Sequence, residues 1–439
     1  MMMRRLVTAT GRIRTSRAGR IAVTRRTLSV QPLEEESTPV TVHHSSAIAA
    51  PAAAPIPTSA FQSETRVMGN TRAVLRNDWT RAEIQALYDQ PFIELLYQAA
   101  TIHRMYWNPQ EVQQCTLLSI KTGGCTEDCK YCSQSVRYKT HVKPTPQMKV
   151  AEVVEAAKRA KAAGSTRFCM GAAWRELGNK KNAFGHILDM VREVNGMGLE
   201  VCATLGMLNP EQARQLKAAG LTAYNHNLDT SPEYYPKVIT TRSYEDRLNT
   251  LSAVRDAGLN VCSGGILGLG EADSDRIGLL HTLATLPAHP ESVPINALVA
   301  VEGTPMQESH APSIWDMGRM IATARIVMPK TMVRLSAGRL SFSKGEQALM
   351  FFAGANSIFN GDVLLTTPNP EFSADMDLFE KIGLVGKKAH VPAKETPYEV
   401  QRLQQEEAEA EANTEVKWME EEGGRDGGVV VTRSRAQMA

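Results

Sequence analysis

Eight short runs rich in β-branched or apolar residues, each followed by an amphipathic stretch carrying Lys, Arg and Glu, constrain this chain more than any other feature. The runs cover residues 116–120, 167–172, 200–205, 223–228, 260–267, 293–299, 332–336 and 357–361. Helical periodicity covers 150–163, 184–197, 210–219, 244–257, 274–286, 314–327 and 344–352. A further helix is predicted over 81–103, with Asn77 and Asp78 as cap candidates. Gly164, Gly198, Gly220 and Gly258 follow four of the helices, where a left-handed C-cap is easiest for glycine. Strands alternating with helices imply parallel βα units in an α/β fold, and eight such units closing on themselves make a (β/α)8 barrel of the TIM type with an N-terminal helical extension. An open doubly wound sheet is the main rival, but no GxGxxG follows the first strand.

The ends of the 439-residue chain differ from its middle. No acidic residue precedes Glu34, while Arg4, Arg5, Arg12, Arg14, Arg17, Arg20, Arg25 and Arg26 recur among Ser, Thr, Ala and Leu. Residues 1–33 therefore read as a mitochondrial transit peptide, with a basic disordered arm as the plainer alternative. Residues 34–70, rich in Ala, Pro, Ser and Thr, read as a disordered linker; 71–394 as the barrel; and 395–439, with Glu420-Glu421-Glu422, as an acidic disordered tail. A net charge of +2 is too balanced for nucleic-acid binding by bulk electrostatics, and no run of about 18 apolar residues predicts a membrane span. Seven cysteines in a chain bound for a reducing compartment are not a disulfide framework.

Three of them form Cys125-x3-Cys129-x2-Cys132, directly after the first strand and Gly123-Gly124. In a (β/α)8 barrel, active sites lie at the C-terminal ends of strands, so this loop belongs over the mouth. Three thiolates on a 4Fe-4S cubane leave one iron open to a substrate or cofactor, since such clusters are usually completed by a fourth cysteine. The alternative is structural zinc, which takes four ligands and often pairs CxxC knuckles; the x3 then x2 spacing without a neighbouring fourth ligand fits that poorly.

A second set is scattered in sequence. Cys169, Cys202 and Cys262 occupy comparable positions in strands two, three and five, and Arg334 sits similarly in strand seven. Equivalent strand positions face the same side, so all four can point into the barrel. A guanidinium there is costly unless paired or ligating. Three inward cysteines and one arginine suit a smaller cluster of 2Fe-2S size. Taken singly, each cysteine also packs as an inert small hydrophobe. Cys115, placed near the barrel bottom at the start of strand one, keeps that plain reading.

With an aromatic, Tyr131, before the last cysteine, the motif resembles the radical S-adenosylmethionine superfamily. Within it, the chain is closer still to the biotin synthase family, through Tyr131-Cys132-Ser133-Gln134-Ser135, Cys169-Met170-Gly171-Ala172-Ala173-Trp174, Tyr224-Asn225-His226-Asn227-Leu228-Asp229-Thr230, Cys262-Ser263-Gly264-Gly265-Ile266, Pro294-Ile295-Asn296 and Arg334-Leu335-Ser336-Ala337-Gly338-Arg339. The resemblance covers roughly Asn77 to Lys381, with no departure at a ligand position. It implies that Cys125, Cys129 and Cys132 hold a catalytic 4Fe-4S cluster whose open iron is chelated by S-adenosylmethionine. One electron then yields methionine and a 5′-deoxyadenosyl radical, chemistry supplied by the cofactor. It further implies that Cys169, Cys202, Cys262 and Arg334 hold a 2Fe-2S cluster that donates sulfur to dethiobiotin, with two S-adenosylmethionine molecules used per biotin. Tyr131, Ala172, Asn227, Asp229, Arg247 and Ile266 resemble S-adenosylmethionine contacts. Asn227, Asn296, Thr366 and Thr367 resemble dethiobiotin contacts, although Asn227 and Asp229 could merely close a turn and Thr366-Thr367 could be a surface turn. Expected partners are a reduced ferredoxin-type electron donor, the Fe-S assembly machinery and a second copy in a homodimer, with matrix residence. Lipoyl synthase also inserts sulfur but would carry a further cysteine-rich motif upstream, and no cysteine precedes Cys115.

Overall fold

The computed structural model describes residues 75–361 and 363–388. The transit-peptide, linker and acidic-tail assignments (1–33, 34–70 and 395–439) lie outside the described residues. Nine strands make the barrel: β1 (Glu111–Lys121), β2 (Arg167–Ala172), β3 (Glu200–Thr204), β4 (Ala223–Asn225), β5 (Asn260–Cys262), β6 (Gly265–Leu267), β7 (Ser292–Ala297), β8 (Met332–Leu335) and β9 (Ser357–Asn360). All pairings among them are parallel, and β1 pairs with both β2 and β9, which closes the sheet. The expected eight staves are present, with the fifth divided between β5 and β6.

The division has a local cause. A Cβ on Gly264 would stand 2.0 Å from the Pro294 carbonyl oxygen. The chain passes so close to β7 at this point that only glycine fits, and the ladder is interrupted across Ser263 and Gly264. β4 likewise ends at Asn225, so Asn227 and Asp229 lie in the loop beyond it and not at the end of a 223–228 strand. β1 begins at Glu111, which puts Cys115 in mid-strand instead of at its start.

The pleat sorts side chains into two layers. Phe168, Met170, Val201, Ala203 and Val261 pack outward into the main core beneath the helices, whereas Cys169 and Cys202 turn inward with Cys115, Ala223, Phe359 and Leu364. Full burial of a residue such as Phe168 contributes about 1.5–3 kcal/mol, so the outward layer holds the barrel and frees the interior for chemistry. The predicted 81–103 helix is two helices, Arg81–Tyr88 and Phe92–Tyr106. Pro91 separates them because it lacks an N–H and disfavours helical geometry at the residue before it. The cap of the first is Thr80, in a reciprocal box with Glu83, and not Asn77 or Asp78. The four glycines expected as left-handed C-caps all have positive φ, between 71° and 99°.

Candidate active site

The barrel mouth opens into a cavity of about 330 Å³. Cys125, Cys129 and Cys132 line its rim, while Cys169, Cys202 and Arg334 line its depth. The rim loop is held by its own backbone. Cys125 N–H donates to Gln134 O at 3.0 Å, Val136 N–H to Cys125 O at 2.8 Å and Cys132 N–H to Cys129 O at 2.9 Å. Asp128 anchors the loop from outside by accepting the backbone N–H groups of Thr240 and Thr241. Burial raises all three thiols, with Cys132 pushed up to about 11. Deprotonating them needs a compensating positive centre, which is what an iron cluster provides.

Among the described residues, no three His, Cys, Asp or Glu side chains converge on the shell of a single metal ion. A tetrahedral zinc draws its sulfurs to one centre, whereas cluster thiolates sit on separate irons and stand wider apart. Cys125, Cys129 and Cys132 line one cavity, and no described cysteine is in a disulfide.

Beside this loop, Asp229 is 2% exposed and accepts from the Tyr131 hydroxyl at 2.9 Å and from Arg247 Nη2. Arg247 also donates to Tyr235 Oη at 2.9 Å and to the Asn227 carbonyl. Burial opposes the charge of Arg247, and Asp229 together with Tyr235, Tyr131 and Cys129 outweighs it, leaving the guanidinium above its ordinary value. Asp229 has φ 68°, a left-handed conformation uncommon outside glycine, and its carbonyl accepts from Ile266 N–H at 2.8 Å. Such strain persists where surrounding contacts over-determine it, as here. Asn227 Oδ1 accepts from Gly264 N–H at 3.2 Å. Ala172, Asn227, Asp229, Arg247, Tyr131 and Ile266 thus share the cavity wall.

Asn296, Thr366 and Thr367 line the same cavity. Asn296 Nδ2 donates to Gly265 O at 2.9 Å and its Oδ1 accepts from Ala337 N–H at 3.2 Å, so the amide is oriented by backbone on both sides. Thr366 is not on a free surface turn: its hydroxyl lies 2.8 Å from Ser133 Oγ, on the loop that carries Cys132. Thr367 belongs to the small hairpin strand Thr367–Pro368, paired with Val363–Leu364.

Deeper, Cys169 and Cys202 are direct neighbours across β2 and β3. Cys202 shares side-chain hydrogen bonds with both Cys169 and Cys262, and the first of these raises its thiol most. Arg334 is fully buried, with Nη1 3.7 Å from Cys262 Sγ. The sulfurs and this guanidinium therefore form one cluster of donors, of the composition that suits a small iron–sulfur group. Cys115 is not remote from it, since it packs with Cys169 and Cys202. Sequence reasoning missed Gln113 and Ser357, which touch Arg334 directly, and Ser133 and Glu127 on the cavity wall. A polar residue at the inward parity of an apolar strand, Gln113 two before Cys115, is the signal that could have found the first.

The closed parallel barrel with its three-cysteine mouth loop defines a radical S-adenosylmethionine enzyme. The Radical SAM superfamily model matches residues 119–283, and the Biotin and Thiamin Synthesis associated domain matches 294–385. Among curated proteins, the chain is 66% identical over 312 residues to the mitochondrial biotin synthase of Arabidopsis thaliana, covering 71% of this chain and 82% of that one. It is 59% identical over 319 residues to biotin synthase of Schizosaccharomyces pombe (72% and 88% covered) and 56% identical over 308 residues to the mitochondrial biotin synthase of Emericella nidulans (70% and 78%). The chain belongs to the biotin synthase family, radical S-adenosylmethionine enzymes that insert sulfur in the formation of biotin. Solved structures share the fold: an FeFe-hydrogenase maturase from Carboxydothermus hydrogenoformans has TM-score 0.63 at 14% identity (76% of this chain, 81% of that one), and methylornithine synthase has 0.59 at 18% (70% and 94%).

Proposed function

We propose that this chain converts dethiobiotin to biotin with sulfur drawn from a 2Fe-2S cluster held by Cys169, Cys202, Cys262 and Arg334. The observation that carries this reading is the arrangement of one cavity, lined by the three thiols of the mouth loop and by Cys169, Cys202 and the buried Arg334, with Cys262 Sγ behind its wall 3.7 Å from Arg334 Nη1. When bound, the 4Fe-4S cluster and S-adenosylmethionine supply the one-electron cleavage that activates C–H bonds. Cys125, Cys129 and Cys132 hold that cluster. Asp229, fixed by Arg247 and Tyr131, presents its remaining carboxylate capacity to ribose hydroxyls, and Ala172, Asn227 and Ile266 complete the pocket wall. Asn227, Asn296, Thr366 and Thr367 place the ureido ring and carboxylate of dethiobiotin between the two donor sets. The apolar walls exclude water and stray hydrogen donors from the reacting carbons.

An electron must come from outside, and we assign it to an acidic ferredoxin-type carrier. From Cys129 to Ala151 the chain carries Lys130, Arg137, Lys139, Lys143 and Lys149 and no acidic residue. Arg137, Lys139 and Lys143 are exposed, and Val136 beside them donates its N–H to the Cys125 carbonyl. A homodimer finds support in Ile93, Tyr97 and Trp315, which are 76%, 60% and 60% exposed on neighbouring helices. Matrix residence and cluster repair by the Fe-S assembly machinery follow from the resemblance and the Arg-rich N-terminus; a monomeric mass in sedimentation, or import to another compartment, would remove the corresponding statement.

One experiment tests the core of this reading. Anaerobic protein loaded with iron and with 34S-labelled sulfide is expected to form labelled biotin from dethiobiotin, with two 5′-deoxyadenosine molecules per biotin. A reduced ferredoxin should support this with a rate that falls steeply as salt rises, because the exposed lysines steer an acidic partner, whereas dithionite should not show that dependence. Unlabelled biotin would remove the cluster as sulfur source, and a salt-insensitive ferredoxin rate would remove the docking face.

A further inference from the structure

Arg334 offers five N–H groups, and the structure accounts for the direction of each nitrogen. Nε donates to Ser357 Oγ at 2.9 Å, and Nη2 donates to Gln113 Oε1 at 3.1 Å. Nη1 alone is left toward the cavity side, 3.7 Å from Cys262 Sγ. The rotation of the guanidinium about its own plane is therefore set by Ser357 and Gln113.

What sets Gln113 is one step further out. Its Oε1 also accepts from Ser357 Oγ at 3.2 Å and Cys115 Sγ at 3.5 Å, while its Nε2 donates to Glu200 Oε2 at 3.2 Å. That same carboxylate oxygen accepts from Arg167 Nε at 2.7 Å. A carboxylate accepts and does not donate, so it admits only the NH2 end of the amide. Glu200 thereby removes the two-fold ambiguity of the glutamine side chain and turns its carbonyl toward Arg334. Gln113 is 2% exposed, and a flipped amide would place its NH2 against a guanidinium N–H, leaving buried donors facing each other without an acceptor.

We propose that Gln113, oriented by Glu200 and Arg167, is a positioning residue for the smaller cluster, presenting Nη1 of Arg334 as the fourth donor beside Cys169, Cys202 and Cys262. This rests on the reading that these four groups hold a 2Fe-2S cluster. The chain of contacts runs from charge to charge through one neutral amide. It delivers orientation to the arginine without placing a carboxylate beside it, and a carboxylate there would hold both Nη groups in a fork and draw Nη1 away from the sulfurs. Ser357 has the complementary part at Nε.

The test uses the full chain, reconstituted anaerobically, with the two clusters counted separately by Mössbauer spectroscopy and the smaller one followed by its visible absorption under chelator. Gln113→Met keeps the volume and removes the amide. It is expected to lose the 2Fe-2S signal about tenfold faster than the unaltered protein, the range found when an outer partner of a metal ligand is removed, with 4Fe-4S content unchanged. Glu200→Gln, which lets the Gln113 amide turn over, is expected to show the same spectroscopic change in smaller degree. In reduced protein, the nitrogen hyperfine coupling from Arg334 should weaken in both. Unchanged 2Fe-2S retention and hyperfine coupling in Gln113→Met would overturn the proposal. So would equal loss of both clusters together with a lowered melting temperature of the cluster-free protein, since that marks general packing. If the unaltered protein itself gives no 2Fe-2S signal, the underlying reading fails first, and that outcome is visible without any variant.

Discussion

Cys169→Ala is expected to abolish biotin formation while leaving the 4Fe-4S cluster and S-adenosylmethionine cleavage in place. Removing an outer partner of a metal ligand typically costs 10–100-fold, so removing a ligand itself should cut biotin output by more than about 100-fold. The fold should tolerate the change. Cys169 is 3% exposed and its thiol is the smallest of polar truncations, with a cavity cost of about 1 kcal/mol. The rim thiols sit on a different loop with its own backbone hydrogen bonds, so nothing in their support passes through Cys169. Chromatographic measurement of biotin and 5′-deoxyadenosine, beside iron and labile-sulfide counts, separates the outcomes. Biotin at the unaltered rate would remove Cys169 from the sulfur-donating set, and loss of both clusters would point to misfolding.

The second large effect is expected at Arg247. Arg247→Met leaves the 2%-exposed carboxylate of Asp229 without its cation, and breaking a buried pair from one side costs about 3–5 kcal/mol. The melting temperature should fall by several degrees, and S-adenosylmethionine affinity should fall with it because the ribose-facing carboxylate is no longer held. Asp229→Asn is the informative companion. Asparagine tolerates the left-handed conformation that Asp229 adopts, so this variant removes charge without adding backbone strain. It leaves the buried Arg247 without its anion, so it should also destabilise, and combining the two should recover part of the loss. Differential scanning calorimetry with and without S-adenosylmethionine measures both. Strictly additive losses in the double variant would show that the two residues do not act as a pair.

How much of this was legible in sequence depends on the range of the interactions. The eight staves could be read because each βα unit carries its own hydrophobic period, and four of the helices a glycine stop, which are local properties. The break in the fifth stave could not, since the reason for Gly264 is a carbonyl of Pro294, thirty residues later in the chain. Thr80 took the cap from Asn77 and Asp78 because Glu83 completes a reciprocal box with it. For Thr366 the sequence leaves a surface turn open beside a substrate contact, because Ser133, whose hydroxyl meets it, lies more than two hundred residues away in the chain.

The residue types and spacings by themselves determined the chemistry available: three thiols in one short loop, three more and an arginine at inward strand positions, all within a barrel pattern. Closure of the barrel decided what those groups do to each other. The helix Tyr244–Asp256 brought Arg247 onto Asp229 in the loop beyond β4, and parallel strands set Cys169 beside Cys202 and aligned Arg167, Glu200 and Gln113 behind Arg334. No sequence pattern encodes that last alignment. It arises because strands distant in the chain present inward side chains at a common level, where a buried amide has only one orientation that satisfies its neighbours.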